Sequence, residues 1–363
     1  MPKTIPHIAI FGLKGFPAIG GTSSVGENLV QHLNTEYRFT VYATSSHCSE
    51  KNPYKNVRMF IIRKFLPHKL NVFYYNLVGA FHALFFCNYD MIHTHQIDTG
   101  YIVPLIRLRY KVISTHHGRT YNMSKWGKVM KYFFRFTEKL MIRFANKVTF
   151  VAETEREAAT LKYKKDFITI HNGVDPRQVI GEVKIKGDYI MFAAGRIIPH
   201  KGCHIFLDGL KNMNYKGKVL IAGDHEQLPE YKKQLEGYKK YLDVKFLGML
   251  KDKAELLGYV KGARLFVFPS FYEAMSMMLL EVALVKTPLI CSDIRENTLI
   301  FSEDEVTYFK SGDVNNLAKK IEETLSNPEQ TISKTNAAYQ KVCSDYNWES
   351  LSIMYKELYK SML

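Results

Sequence analysis

Short apolar runs, many rich in β-branched and aromatic residues, alternate along this chain with longer amphipathic ones. The runs at 7–11, 39–42, 57–62, 91–93, 111–114, 147–151 and 167–170 predict strands. After a break, those at 189–193, 218–222, 244–246, 265–268, 288–291 and 307–309 predict a second series. Helical patterns lie between most of them. Continuously apolar strands separated by helices imply an α/β protein with parallel sheets covered on both faces. Two series imply two doubly wound, Rossmann-like domains. Periodicity fails over 176–187, where Gly, Pro and Lys gather. The expected division is therefore 1–177 and 178–344. The run at 72–87 is broken by Asn76 and His82 and is too short to cross a bilayer; it reads as a buried or interfacial helix.

The chain's 363 residues suit two domains, and 46% hydrophobic content is enough for two cores, which excludes global disorder. Cys48, Cys87, Cys203, Cys291 and Cys343 are scattered without a CxxC pair, which argues for a reducing compartment and against structural zinc. The N-terminal segment lacks the charged-then-apolar pattern of a signal peptide. Net charge is +15, unevenly placed. Residues 1–180 carry 25 Lys and Arg against 11 Asp and Glu; residues 181–363 carry 25 against 24. The first half is built to meet something anionic: nucleic acid, a membrane surface or a phosphorylated acceptor.

Ligands of doubly wound sheets sit beyond the carboxyl ends of the strands, so polar residues directly after strands are the candidates. The first strand leads into a loop ending in Gly20 and Gly21, with Thr22, Ser23 and Ser24 as N-cap types before a helix expected near Val25. Paired glycines there permit close backbone approach to a ligand, or simply turn the chain. The GxGxxG spacing is missing and no acidic residue ends the second strand, which argues against a dinucleotide site. His93 and His95 end one strand, and His116 and His117 another. No spacing among them defines a metal site. Hydrogen bonding to a sugar hydroxyl, or acid–base work, suits them better, with His117 before Gly118 the leading residue.

Between residues 124 and 146, Lys128, Lys131, Arg135, Lys139 and Arg143 recur at helical spacing and form one stripe, with Trp126, Tyr132, Phe133, Phe134, Phe136, Leu140 and Ile142 on much of the rest. The stripe is either a solvated face or a surface for anionic lipid headgroups. No recognised nucleic-acid module accompanies it.

The strand at 189–193 runs into Gly195-Arg196-Ile197-Ile198-Pro199-His200-Lys201-Gly202. An Arg and a Lys in one strand-end loop suit a diphosphate, Arg as a bidentate fork and Lys as a compact charge. The strand at 265–268 leads through Glu273 into a helix bearing Glu281. Free backbone N–H groups around Met275, Ser276, Met277 and Met278 suit phosphate oxygens. One of the two carboxylates can reach a ribose diol and the other a hexose.

These motifs, together with Asn172-Gly173-Val174-Asp175 and the loop ending in Gly20-Gly21, resemble those of the retaining nucleotide-sugar glycosyltransferases of family 4, over essentially the whole chain. Within that family the chain looks closest to bacterial surface-polysaccharide transferases. The resemblance implies the GT-B fold, two Rossmann-like domains facing each other across a cleft. The first would bind acceptor, the second the donor, and residues 345–363 would cross back onto the first. Arg196 and Lys201 would neutralise the donor diphosphate, with Gly195 beside them. Glu281 would hold the ribose hydroxyls and Glu273 would approach the hexose. Gly20 and Gly21 would shape the cleft, and His117 would touch the transferred sugar. No cofactor and no metal are implied; the co-substrate would be a UDP- or GDP-sugar. The implied acceptor is a glycan or lipid-linked saccharide for capsule, O-antigen or exopolysaccharide, and the enzyme would be cytoplasmic, peripheral on the inner face of the membrane. Ala274-Met275-Ser276 stands where many members have Gly-Phe-Gly, which bears on pocket size. A sugar-nucleotide epimerase and a non-catalytic nucleotide-sugar-binding subunit are the alternatives.

Overall fold

The computed structural model describes residues 5–16, 21–48, 54–122, 126–182, 185 and 188–363. The chain divides into two compact units: Met1–Asn172 with Trp348–Leu363, and Gly173–Asn347. Their boundary follows Asn172, five residues before the expected 177, because the next residues already pair inside the second unit. Val174 donates its N–H to the Tyr346 carbonyl at 2.8 Å and bridges to Asn347.

In chain order the first unit contains β1 (His7–Phe11), α1 (Gly21–Leu33), β2 (Arg38–Thr44), β3 (Val57–Ile62), α2 (His68–Phe86), β4 (Met91–His95), α3 (Val103–Ile106), β5 (Lys111–His116), α4 (Lys128–Phe144), β6 (Lys147–Phe150), α5 (Glu153–Tyr163) and β7 (Ile168–Thr169). The second contains β8 (Tyr189–Arg196), α6 (Cys203–Asn212), β9 (Lys218–Asp224), α7 (Pro229–Glu236), β10 (Asp243–Gly248), α8 (Lys253–Gly262), β11 (Leu265–Phe268), α9 (Met277–Leu284), β12 (Leu289–Ser292), α10 (Arg295–Thr298), β13 (Thr307–Phe309), α11 (Val314–Ser326) and α12 (Pro328–Asp345). The last helix, α13 (Trp348–Lys360), belongs to the first unit.

Both sheets are parallel throughout. Their orders are β3-β2-β1-β4-β5-β6-β7 and β10-β9-β8-β11-β12-β13. Each order reverses once, between β1 and β4 and between β8 and β11, which creates the switch points where doubly wound sheets take ligands.

In the first unit the two central strands β4 and β5 are buried yet polar. Hydrogen bonds within the unit satisfy most of these groups. Thr94 pairs with Ser114 at 2.7 Å, and Thr115 with Thr149 at 2.8 Å. His93 meets Thr115 Oγ1 at 2.7 Å through Nε2 and the Tyr359 hydroxyl at 2.7 Å through Nδ1. That last bond ties α13 to the sheet. Trp348, Tyr355 and Tyr359 are fully buried on the same helix, and Lys356 pairs with Glu36 at 2.6 Å.

The first helix starts at Gly21, earlier than the expected position near Val25. Thr22, Ser23 and Ser24 therefore lie inside its first turn, and Ser23 donates back to the Leu13 carbonyl rather than capping. Leu13 is buried against α1, where a Cβ at Gly26 would stand 2.4 Å from its side chain.

Helix α4 buries an unexpected acid. Glu138 accepts from Lys162 at 2.9 Å and from the hydroxyls of Tyr163 and Tyr121, and it meets His116 at 3.3 Å and Arg119 at 3.7 Å. Burial alone would raise its pKa. The hydrogen bonds and charges of His116 and Lys162 override that and hold it at about 2. Because the folded value lies below the ordinary 4.5, the stabilisation is whole above pH 4.5 and is lost as pH falls towards 2. Glu138→Gln leaves His116, Arg119 and Lys162 around a neutral group. Urea unfolding at pH 7 should show a loss of about 3 kcal/mol; a loss under ~0.5 kcal/mol would return this cluster to the class of minor surface pairs.

Candidate functional site

In the second unit the site begins at the bulged end of β8. Arg196 lies opposite Asp224 of β9, and the Ile197 N–H donates to the Asp224 carbonyl at 2.7 Å. Gly223, at φ +137°, permits this approach; a Cβ there would stand 1.8 Å from the Ala194 carbonyl oxygen. Burial pulls the Arg196 guanidinium below its ordinary pKa, while the carboxylates of Asp224 and Glu273 pull the other way.

The chain then makes a short 3-10 turn, Pro199–Lys201, and passes through Gly202 at φ +73° into α6. A Cβ on Gly202 would come within 2.0 Å of the Pro269 carbonyl oxygen, so glycine is what allows this loop to lie on the exit of β11. The Phe271 N–H donates to the His200 carbonyl at 2.9 Å and pins the two loops together.

Lys201 Nζ consequently reaches Glu273 Oε1 at 2.6 Å, and Ser270 Oγ donates to the same oxygen at 2.7 Å. Ser270 is held in turn, since Ser292 donates to its carbonyl and Asn297 to that of Ser292. Glu273 is thus a buried counter-ion for Lys201, close enough to Arg196 to oppose its pKa shift.

Four residues beyond Glu273, α9 starts behind Ser276, whose side chain makes no cap hydrogen bond. The first N–H groups of α9, from Met277 and Met278 onward, have no intrahelical acceptor and face an anion-attracting helix end. Met275 and Ser276 are buried, while Met277 and Met278 are half-buried. Glu281 lies on the second turn of α9, also buried, and Lys253 at the start of α8 reaches its Oε1 at 2.7 Å. Gly195 is exposed, with open space where a Cβ would be. Two cations, two carboxylates and a bare helix start can together hold a diphosphate and the hydroxyls attached to it.

In the first unit His117 follows β5 and is half-buried. Its Nε2 lies 3.0 Å from His95 Nδ1, and the His95 ring stacks on His93 with centroids 4.3 Å apart. Among the described residues His95 Nε2 is buried without a partner. Burying a bare acceptor is commoner than burying an orphaned N–H. On that ground His95 carries its proton on Nδ1 and donates to His117 Nε2, which leaves His117 protonated on Nδ1. Burial holds His93 and His117 at about 3, and like-charge neighbours add to the effect at His117. His117 is therefore neutral at neutral pH, a hydrogen-bonding group rather than a cation.

Residues 177–341 match the family model described as glycosyl transferases group 1, and residues 19–178 match that of glycosyltransferase family 4. The chain belongs to the family 4, group 1 glycosyltransferases. Over 96% of both chains it is 24% identical to an uncharacterized glycosyltransferase of Methanocaldococcus jannaschii. It is 24% identical over 79% of both chains to the Escherichia coli UDP-Gal:alpha-D-GlcNAc-diphosphoundecaprenol alpha-1,3-galactosyltransferase. HepE of Anabaena, solved in complex with UDP-glucose, matches at TM-score 0.79 and 16% identity, with 98% of this chain and 99% of that one covered. The fold is GT-B, and the family transfers sugars with retention.

The transferase places Arg196, Lys201 and Glu273 together, and Glu281 along the same helix that Glu273 precedes. Gly20 lies outside the described residues, and Gly21 is the first residue of α1. Among the described residues no three His, Cys, Asp or Glu side chains are grouped to hold a metal ion. Of the α4 cations, Lys128, Arg135, Lys139 and Arg143 are exposed and Lys131 is half-buried. The aromatic residues of α4 are not all core: Phe134 is buried, but Tyr132 and Phe136 are exposed. Sequence reasoning missed Asp224, Lys253 and Ser270; the first two meet their partners only through the fold, and Ser270 bonds Glu273 three residues on.

His93 and His117 titrate near 6.5 when unfolded and near 3 when folded. Between those values the unfolded chain binds the extra protons, so stability falls as pH drops from 6.5 towards 3. Urea midpoints measured across this window should decline, and His93→Gln should flatten the slope by about 1 kcal/mol per pH unit. An unchanged slope would mean that His93 is free to protonate in place.

Proposed function

We propose that this transferase moves a hexosyl group from a UDP- or GDP-sugar to a hydroxyl of a lipid-linked saccharide or glycan, in bacterial surface-polysaccharide synthesis. One observation carries the reading: Lys201 holds the Glu273 carboxylate, within electrostatic reach of Arg196, at the segment that leads into the uncapped start of α9. Breaking the anomeric C–O bond leaves negative charge on the departing diphosphate. Arg196, Lys201 and the N–H groups of Met277 and Met278 are arranged to stabilise that charge as it develops. The diphosphate competes with Glu273 for Lys201, so donor binding frees the Glu273 carboxylate to face the hexose. Glu281, oriented by Lys253, holds the ribose hydroxyls. The acceptor hydroxyl attacks on the face that the diphosphate leaves and passes its proton to the departing phosphate oxygen, which gives retention. His117 offers its Nδ1–H to a sugar hydroxyl.

The UDP-glucose complex of HepE supports a nucleotide-sugar donor, and the E. coli relative's diphosphoundecaprenol substrate supports a lipid-linked acceptor. The charge excess of residues 1–180 and the cation stripe of α4 support a location against an anionic surface, the inner face of the cell membrane. The contact we propose is peripheral; among the described residues no helix is long and apolar enough to cross a membrane.

Transfer or hydrolysis of UDP- and GDP-sugars by the purified chain tests the reading. Lys201→Ala and Glu281→Ala should each lower kcat/KM by about a hundredfold, as loss of one charged contact to the transition state does. If both variants match wild type, the donor assignment fails. Lys253→Ala should raise KM for the donor several-fold with kcat nearly unchanged, since it acts only through Glu281; a fall in kcat alone would contradict that role.

A further inference from the structure

Helix α2 has an exposed face that its sequence does not explain. From Leu70 to Phe86 it carries no Asp, Glu, Lys or Arg. At 100° per residue, Leu70, Leu77, Phe81 and Phe85 fall within about 80° of one another. All four are exposed, Phe85 to 70%, and Phe86 at the helix end to 79%. Phe81 and Phe85 stack at 6.2 Å, so the stripe is continuous. The opposite face, with Asn71, Tyr75, Gly79 and Ala83, faces the unit's interior; Asn71, Tyr75 and Ala83 are fully covered.

The stripe continues onto α4. Phe73, at its edge, packs edge-on against Phe133 of α4 at 4.9 Å. On α4, Val129 and Phe136 flank Phe133 one turn either side and are exposed to 81% and 56%. Helical rotation then brings Tyr132, also exposed, and the row Lys128, Arg135, Lys139 and Arg143. Among the described residues none of these four cations is paired with a carboxylate. The sequence of chemistry across the two helices is therefore uncharged phenylalanine and leucine, then valine and aromatics, then unpaired cations. That order matches the order met on crossing from acyl chains to anionic headgroups.

We infer that α2 is a lipid-insertion face: its Leu77–Phe81–Phe85 stripe enters the acyl region of an anionic bilayer while the α4 cations engage the headgroups. This rests on the membrane location proposed above and adds to it an apolar anchor and an orientation. A second copy of the chain is the poorer occupant. An isologous contact over this face would bring two identical cation rows into one interface. The covered face of α2 keeps the helix flat in the interface rather than across it.

Co-sedimentation of the full chain with vesicles of phosphatidylcholine mixed with phosphatidylglycerol tests the inference. Phe81→Gln/Phe85→Gln should bind at least about tenfold more weakly, the loss that withdrawing two aromatic side chains from lipid entails. Its melting temperature and its turnover of water-soluble donor should match wild type. Phe85→Trp should show fluorescence quenching by acyl-brominated lipid beyond that of Trp126 and Trp348 in the wild type. If the Gln variant binds like wild type while Lys139→Glu/Arg143→Glu releases the protein, the contact is with headgroups only. The membrane location then survives and the insertion face is wrong. If wild type ignores these vesicles, both fail, whatever its transfer activity. If sedimentation velocity shows a dimer that the Gln variant dissociates, a second copy covers the face and the inference is overturned.

Discussion

A lysine and an arginine drawn together at the end of one buried strand need a counter-charge, and Glu273 is placed to supply it. Its Oε1 accepts from Lys201 at 2.6 Å and from Ser270 at 2.7 Å, and its charge reaches Arg196. Much of the surrounding backbone serves that meeting. Gly202 lets the Lys201 loop lie on the exit of β11, Gly223 lets β9 close on β8, and the Ser292–Ser270 bond fixes the floor. A carboxylate held this way balances the two cations among buried surroundings. A diphosphate offers more negative charge and more acceptor oxygens, and the bare start of α9 adds N–H donors that Glu273 does not use.

The two units solve the problem of buried polarity differently. The second pairs carboxylates with lysines, Glu273 with Lys201 and Glu281 with Lys253. The first keeps His93 neutral by burial and joins it through hydrogen bonds to Tyr359 and Thr115. Its one deeply buried acid on α4, Glu138, is surrounded by His116, Arg119 and Lys162. The remaining cations of α4 stay outside, beside an apolar helix face. A nearly neutral half with local cations and a strongly basic half with an outward stripe suit a mobile anionic donor and a fixed anionic surface.

Strands were the most legible feature, since parallel strands covered on both faces are written as continuous apolar runs. The Arg196-to-Lys201 loop and the Glu273-to-Glu281 spacing were legible because each lies within a few residues of a strand end. Contacts made by folding were not. Lys201 and Glu273 are 72 residues apart, and nothing local announces that Lys201 donates to the same Glu273 oxygen as Ser270. Lys253 reads as a solvated residue until α8 packs on α9. Glu138 looks like one charge among many on a basic helix. Hydropathy also cannot say which side of an apolar helix is covered, so the run at 72–87 stayed open between core and interface. The structure resolves it into both: one face in the core, the other bare.

The central claim is that the Arg196–Lys201–Glu273 cluster and the start of α9 form the diphosphate seat. A crystal structure of the chain with UDP bound tests it most directly. The account predicts the β-phosphate against Lys201 Nζ and the Arg196 guanidinium, oxygens within hydrogen-bond distance of the Met277 or Met278 N–H, and the Lys201–Glu273 contact opened. UDP bound elsewhere, with that ion pair still closed at 2.6 Å, would contradict it.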